Sequence, residues 1–263
     1  MFSRKGTLFR RAIVRPPGSN FAEGLTTSDL GVPDFALVLS QHEAYCHALE
    51  ECGLELVRLP PDLRHPDSTF VEDTAVLTPK LAVLTRPGAA SRFGEVDGIR
   101  EPLLRLYQTV REIQAPGTLD GGDVCEAGSH FFIGISHRTN QEGARQLAGF
   151  LAAEGCTAST VDIRPLTSIL HLKSGIAYLD SGNLVVMEGL AAREEFAGYN
   201  LIRVSGADTY ACNCVLVNDR VLLPAGFPRV QASLNAAGYR PLELEMSEFR
   251  KMDGGLSCLS LRF

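Results

Sequence analysis

The chain has 263 residues, of which 45% are hydrophobic, and its formal net charge at neutral pH is -6. This length is enough to bury a large core in one α/β domain or two smaller ones, and the acidic balance argues against a nucleic-acid-binding protein. Because no apolar run approaches the roughly 20 residues that cross a bilayer, a membrane span is not expected.

The N-terminal stretch and the cysteines indicate the compartment. Residues 1–17 are basic but contain no signal-peptide apolar core, and residues 12–15 read as a first strand that ends at Pro16 and Pro17, so we expect a mature terminus. Seven scattered cysteines are typical of reduced thiols and predict a cytoplasmic protein. Cys212 and Cys214 are predicted to be core thiols, since no further ligands complete a zinc site.

Helical periodicity followed by a short strand recurs along the chain. The pattern predicts five helix-strand segments, at 33–60, 95–114, 138–164, 191–205 and 228–246. Pairs of apolar runs around a turn predict hairpins at 74–85, 124–134 and 212–224. Similar Asp-Gly or Asp-Ser motifs recur at 119–123, 179–183 and 252–256, which is a reason to expect a repeat architecture.

These elements predict a ring. Residues 257–263 would pair with 12–15 and close a five-bladed α/β-propeller of ββαβ-type units with pseudo-fivefold symmetry, leaving no exposed sheet edge at the join. No linker composition divides the chain, so residues 1–263 are expected to form a single domain. An open α/β sandwich with the same elements is the alternative.

Equivalent strand starts in such a ring face one axis, where Asp120, His171 and Cys258 would meet. Cys258 follows two glycines that would let the backbone approach a ligand, although an arbitrary cysteine is more often a buried structural thiol. A histidine beside a thiol and oriented by Asp120 can act as general acid and base.

An acidic segment and two arginines describe a substrate with both charges. Asp67, Glu72 and Asp73 precede an apolar strand with no neighbouring run of basic residues, so a guanidinium ligand would supply the missing positive partner. Arg92 and Arg138 would grip a carboxylate through paired N–H donors. Together these residues predict an amino acid with a guanidinium side chain.

Seven segments spanning nearly the whole chain resemble the dimethylarginine dimethylaminohydrolases in order and spacing. They are PDSTFVED, LTRPGAASR, GTLDGGDV, IGISHRTNQEGA, LHLKSG, YACNCVLVN and KMDGGLSCLSLRF. The resemblance implies the propeller fold of the guanidine-modifying enzymes, and a hydrolase that converts Nω-methylated arginines to citrulline and dimethylamine or methylamine.

The resemblance also implies residue roles. Cys258 would be the nucleophile, His171 the general acid and base, and Asp120 its carboxylate partner. The substrate site would comprise Leu25, Asp67, Glu72, Asp73, Arg92, Arg138 and Ser257. Phe93 stands where some relatives have a second basic residue, which puts that edge of the carboxylate site in doubt.

The implied mechanism has two steps and needs no cofactor. The Cys258 thiolate forms a covalent thiouronium, and His171 then activates water. No metal is expected, except zinc as an inhibitor captured by Cys258 and His171, and relatives are often homodimers. An arginine deiminase that releases ammonia is one alternative, although such enzymes usually carry Arg-Asp at the position of Glu72 and Asp73. A non-catalytic binding module is another, and it would not need Cys258, His171 and Asp120 together.

Overall fold

Five three-stranded sheets form a ring in the computed structural model, which describes residues 8–263. The basic residues 1–7 of the expected mature terminus lie outside the described range. The strands are β1 Arg11–Val14, β2 Glu55–Arg58, β3 Ala75–Leu77, β4 Leu81–Leu84, β5 Thr109–Glu112, β6 Val124–Ala127, β7 His130–Ile135, β8 Thr157–Asp162, β9 Ile176–Tyr178, β10 Asn183–Met187, β11 Asn200–Val204, β12 Val215–Val217, β13 Arg220–Pro224, β14 Pro241–Leu244 and β15 Leu261–Arg262.

Each sheet repeats one topology. The middle strand pairs antiparallel with one neighbour and parallel with the other, as in β6-β7-β8, where Val124 is opposite Ile133 and Ile133 is opposite Thr160. The ring closes because β15 pairs antiparallel with β1, with Ile13 opposite Leu261. The predicted five-bladed α/β-propeller of ββαβ-type units is confirmed, and the three predicted hairpins are β3-β4, β6-β7 and β12-β13.

The parallel pair in each unit needs a crossover, and in four of the five units an α-helix supplies it. The helices are α1 Phe35–Glu51, α2 Asp97–Leu106, α3 Gln141–Ala153, α4 Pro228–Ala236 and the single turn α5 Ser247–Arg250, which follows β14. Asp34 caps α1 by accepting from Ala36 and Leu37, and Asn140 caps α3 by accepting from Gly143. Within residues 8–263, no helix combines the length and apolar character that crossing a membrane requires.

The helix predicted within 191–205 is wrong. Two 3-10 turns, Glu188–Leu190 and Glu194–Phe196, connect β10 to β11 instead. Leu190 and Phe196 are both fully buried but six residues apart, which places them on different faces of an α-helix. Two short turns bury both side chains where one helix would expose one of them.

The motif at 179–183 is not structurally equivalent to the motifs at 119–123 and 252–256. It is the hairpin turn between β9 and β10, where Ser181 and Gly182 both have positive φ. The structural repeat is instead a 3-10 turn just before the first strand of each unit. We call these the central turns: Val71–Thr74, Gly121–Asp123, Leu172–Ser174, Gly206–Cys212 and Ser257–Leu259.

Four hydrophobic clusters fill the space between neighbouring sheets and the helices outside them. Cys212 and Cys214 belong to the largest cluster, as predicted for core thiols. The core therefore lies between neighbouring sheets and between the sheets and the helices, and each central turn lies at the start of the first strand of its unit.

Candidate active site

The central turns bring most of the predicted site residues together. The first turn contacts both the second and the fifth, and the third contacts the second and the fourth. Glu72 and Asp73 lie on the first turn, Asp120 and His171 immediately precede the second and third, and Ser257 and Cys258 lie on the fifth. Residues separated by up to 186 positions in sequence thus face one axis, as the ring predicted.

His171 and Asp120 form a direct pair. His171 Nε2 lies 3.0 Å from Asp120 Oδ2, and Asp120 Oδ1 accepts the Gly88 N–H at 2.7 Å. Because Asp120 occupies Nε2, the proton that His171 exchanges is the one on Nδ1, which lies 4.0 Å from Asp73 Oδ1. The structure therefore holds one face of the imidazole and leaves the other for proton transfer.

His171 is charged at neutral pH. Burial alone would lower its pKa, but Asp73, the hydrogen-bonded Asp120 and Asp123 outweigh burial and raise the pKa of His171 to about 9. The imidazolium is thus the resting form and is available as an acid.

Arg92 is buried rather than solvated. Its Nη1 donates to Asp73 Oδ2 at 2.6 Å, its Nε and Nη2 donate to the Glu95 carboxylate, and Nη2 also faces the carbonyls of Asp67 and Phe70. His171 and Arg92 overcome the effect of burial and hold the pKa of Asp73 well below its usual range. The predicted contact of Arg92 with a substrate carboxylate stays a prediction, since each of its three nitrogens already donates within the protein.

Glu72 also has cationic partners. Lys173 Nζ lies 2.7 Å from Glu72 Oε1, and Arg262 Nη2 lies 3.3 Å from the same oxygen. The expectation that these carboxylates lack a positive partner in the protein is therefore wrong. Lys173 and Arg262 are distant from Glu72 in sequence, and the ring arrangement of the five units brings them to it.

Cys258 lies near the carboxylates of Glu72 and Asp73, and its side chain remains partly exposed. Its Sγ is 4.0 Å from Ser257 Oγ, which donates to Glu72 Oε2 at 2.8 Å. Burial, followed by Glu72 and Asp73, raises the pKa of Cys258 to about 12. The resting site thus pairs a neutral thiol with an imidazolium.

The glycines before Cys258 serve packing within the protein. A Cβ on Gly254 would lie 2.4 Å from a Phe70 ring carbon, and one on Gly255 would lie 2.5 Å from the Asn213 side chain. These glycines are thus required to fit Phe70 and Asn213, and the expectation that they let the backbone approach a ligand stays a prediction.

Asn213 follows the fourth central turn and had no signal in the sequence. Its Oδ1 accepts the Ser257 N–H at 2.9 Å, and its Nδ2 donates to Ser257 Oγ at 3.1 Å and to the Lys173 carbonyl at 3.0 Å. These bonds leave the Ser257 hydroxyl proton directed at Glu72. An Asn between two buried cysteines reads as a strand residue, so the YACNC segment alone does not indicate this role.

Leu25 and Asp67 meet at the edge of the site. Leu25 is 43% exposed, and its N–H donates to both oxygens of the buried Asp67 carboxylate at 3.0 and 3.2 Å. The same segment is held to the turn that precedes the nucleophile, because Asp253 accepts from the N–H and hydroxyl of Thr27. Burial raises the pKa of Asp67, with Arg92 opposing the shift.

Arg138 lies in the turn before α3 rather than on the helix itself. Its Nη1 is buried and has no hydrogen-bond partner among the described residues. A buried guanidinium nitrogen without an acceptor is costly, so this donor fits a carboxylate that arrives with a ligand. Phe93 is 41% exposed and lies under the Arg86 guanidinium, 4.7 Å from ring centroid to Cζ.

Two groups of side chains in the described part of the chain are close enough to hold a metal ion: Asp73, Asp120 and His171, and His42, Glu43 and Cys46. In the first, His171 is hydrogen-bonded to Asp120 and Asp73 accepts from Arg92, and in the second, Arg58 donates to Glu43. Neither group contains Cys258, so zinc inhibition through Cys258 and His171 stays a prediction.

A cavity of about 640 Å³ lies among the inner strands of all five units. Glu72, Lys173, Ser257 and Arg262 line it, whereas the thiol and imidazole of the site do not. The Glu72 ion pairs therefore lie between this cavity and Cys258.

Taken chemically, the arrangement combines a thiol, an acid-base imidazole and carboxylates that favour a cation, with a free guanidinium donor at the edge. No family model matches the chain. It is similar to the dimethylarginine dimethylaminohydrolase of Pseudomonas aeruginosa, with 46% identity over 257 residues that cover 97% of this chain and all of that protein. It is also similar to the enzyme of the same name from Streptomyces coelicolor, with 33% identity and 96% of each chain covered.

A solved structure agrees with these relatives. The crystal structure of a mutant Pseudomonas aeruginosa enzyme complexed with citrulline matches with a TM-score of 0.94 and 46% identity, covering 97% of this chain and 100% of that one. Identity at this level over nearly the full length is accompanied by the same fold. The chain therefore belongs to the dimethylarginine dimethylaminohydrolase family.

Proposed function

We propose that this protein hydrolyses asymmetric dimethylarginine and monomethylarginine to citrulline and dimethylamine or methylamine, through a covalent thiouronium on Cys258. The observation that carries the proposal is the neutral Cys258 thiol beside Glu72 and Asp73, with the His171 imidazolium held by Asp120 on the same axis. Membership of the family supports the choice of substrate.

The substrate guanidinium would bind against the carboxylates of Glu72 and Asp73. A cation at this position favours the thiolate, so the Cys258 proton is released to solvent as the complex forms. The thiolate then attacks the central guanidinium carbon. His171 gives its Nδ1 proton to the departing alkylamine as the C–N bond breaks, which leaves the thiouronium.

The same histidine serves the second step. Neutral His171 takes a proton from water through Nδ1, and the resulting hydroxide attacks the thiouronium carbon. The C–S bond breaks, citrulline leaves, and the cysteine and imidazolium are restored. One water is consumed for each amine and citrulline released, and Asp120 keeps the proton on Nε2 throughout.

Arg138 is proposed to bind the substrate α-carboxylate, because its buried Nη1 lacks a partner among the described residues. Arg92 would contribute the second Nη1 hydrogen, and Asp67 and Leu25 would close the edge of the site. Ser257 would hold Glu72 in position.

The setting of the enzyme is also proposed. We infer that residues 1–263 form one catalytic domain that acts in the cytoplasm without a cofactor and forms a homodimer. None of the seven cysteines, which all lie in the described part of the chain, is in a disulfide, and this favours a reducing compartment. Exposed apolar residues four positions apart on one face of helix α1, Phe35 and Leu39, offer a surface for a second subunit.

A steady-state comparison of asymmetric dimethylarginine, monomethylarginine and arginine tests the proposal. We expect citrulline and the alkylamine from the first two, with kcat/KM for arginine much lower. Ammonia released from arginine as efficiently as dimethylamine from dimethylarginine would instead identify an arginine deiminase.

A further inference from the structure

A buried carboxylate behind the site, besides its effect on the pKa of His171, takes part in no bond-making or proton-transfer step of the proposed chemistry. Asp123 ends the second central turn and is 0% exposed. Its Oδ2 accepts the Ser136 hydroxyl at 2.6 Å, and its Oδ1 accepts the Leu172 N–H at 3.0 Å. Because an ionised group is costly to bury, the donors around it must be specific and well placed.

One of these bonds leads to His171. Leu172 directly follows His171 and begins the third central turn, so the bond from its N–H fixes the backbone that carries the imidazole. Gly134 on β7 makes room for the contact, since a Cβ there would lie 2.8 Å from Asp123 Oδ1 and 2.9 Å from Leu172 Cβ.

The other bond leads to Arg138. Ser136 Oγ accepts the Arg138 N–H at 2.9 Å and the Thr139 N–H at 3.0 Å, which leaves its own proton to donate to Asp123. The turn is closed by the Ser136 N–H, which donates to the Thr139 carbonyl at 3.0 Å. Asp123 therefore orients the hydroxyl that shapes the turn carrying Arg138.

We propose that Asp123 is a positioning residue that sets two parts of the active site from one carboxylate, the His171 backbone through Leu172 and the Arg138 turn through Ser136. The proposal rests on the roles proposed above for His171 and Arg138. It assigns Asp123 no contact with substrate.

Two substitutions separate the two arms. Asp123→Asn has one acceptor oxygen where the carboxylate has two, so it cannot accept both the Leu172 N–H and the Ser136 hydroxyl, and its NH2 group must face one of these two arms. We expect kcat for dimethylarginine to fall about 10- to 100-fold and KM to rise, since small misplacements of catalytic groups have effects of this size. Ser136→Ala keeps Asp123 and the Leu172 bond, so we expect KM to rise roughly three- to tenfold with kcat within about threefold of wild type.

Ser159→Ala, on the neighbouring strand β8, is the matched control. Its hydroxyl contacts His130 and no site residue, so both kinetic constants should equal those of wild type. Equal falls in kcat without a change in KM for both Asp123→Asn and Ser136→Ala would overturn the proposal, as would wild-type KM in Ser136→Ala. If Asp123→Asn fails to fold, Ser136→Ala alone decides by the same criterion.

Direct variants distinguish a failure of this inference from a failure of the proposed function. Arg138→Ala must raise KM and His171→Gly must abolish turnover for the proposed roles to stand. If both do so while Ser136→Ala leaves KM unchanged, only the positioning role of Asp123 is refuted.

Discussion

The Cys258 thiol is expected to alkylate slowly in the ligand-free enzyme. Its pKa is raised to about 12 by burial, Glu72 and Asp73. At pH 7.5 a free cysteine is about one-tenth thiolate, whereas a thiol of pKa about 12 is ionised in roughly one molecule in 30,000. The greater nucleophilicity of a more basic thiolate recovers about 25- to 60-fold of this difference, so we expect alkylation about 100-fold slower than that of a free thiol.

Glu72→Gln tests the electrostatic cause. The substitution removes one of the two carboxylates and leaves Lys173 without its anionic partner, and both changes lower the pKa of Cys258. A fall of about one to two pKa units, typical of one nearby charge, should speed alkylation about three- to tenfold after the change in nucleophilicity is included.

The assay is iodoacetamide labelling at pH 7.5, followed by mass spectrometry of the peptide that contains Cys258. Cys156 is also partly exposed and serves as an internal reference in every sample. Glu126→Gln is the matched control, because Glu126 is not among the groups that set the pKa of Cys258. Labelling of wild-type Cys258 as fast as a free thiol, or no acceleration in Glu72→Gln, would refute this electrostatic account.

Three further predictions concern groups around the thiol. The pKa of His171 is raised from 6.5 to about 9, so the stability that its charge contributes is complete below pH 6.5 and is lost as pH rises through 9. In urea titrations, the free energy of unfolding of wild type minus that of His171→Gln should therefore shrink by at most about 3 kcal/mol between pH 6 and pH 10. A constant difference would contradict this assignment. Arg138→Ala should raise KM for dimethylarginine at least about tenfold, with a smaller effect on kcat, in steady-state assays. An unchanged KM would remove Arg138 from the carboxylate site. Asn213→Ala should lower kcat about tenfold and the unfolding free energy by about 1–3 kcal/mol, because Ser257 loses two partners; wild-type kcat would show that Ser257 needs no such support.

The sequence predicted most helices and strands of the ring because residue spacing, helix caps and turn residues within each segment indicate the same element. The amphipathic spacing around Leu147 and Leu151, the Asn140 cap and the positive φ of Gly155 all agree on α3. The segment before β11 failed because its buried residues, Leu190 and Phe196, satisfy tertiary packing rather than a helical period.

Some site residues could be predicted from the sequence and others could not. The convergence of Asp120, His171 and Cys258 was predictable because the ring places their turns at one end, and their residue types can carry acid-base and nucleophilic chemistry. Lys173 and Arg262 were not, because their role depends on ion pairs with Glu72 that no local pattern encodes.

Hydrogen bonds between turns were equally hidden from the sequence. Asn213 holds Ser257 across 44 positions, and Asp123 holds Leu172 across 49. Both are ordinary polar residues beside apolar strands, and these hydrogen bonds depend on the distance between neighbouring central turns rather than on their own segments.

Cys258 is expected to carry the covalent intermediate. Acid quenching during turnover of asymmetric dimethylarginine, followed by mass spectrometry, should show a fraction of enzyme heavier by the mass of the substrate minus dimethylamine, with the increase on the peptide that contains Cys258. Cys258→Ser should show neither this adduct nor turnover. Full turnover by Cys258→Ser, or an adduct on any other residue, would contradict the account.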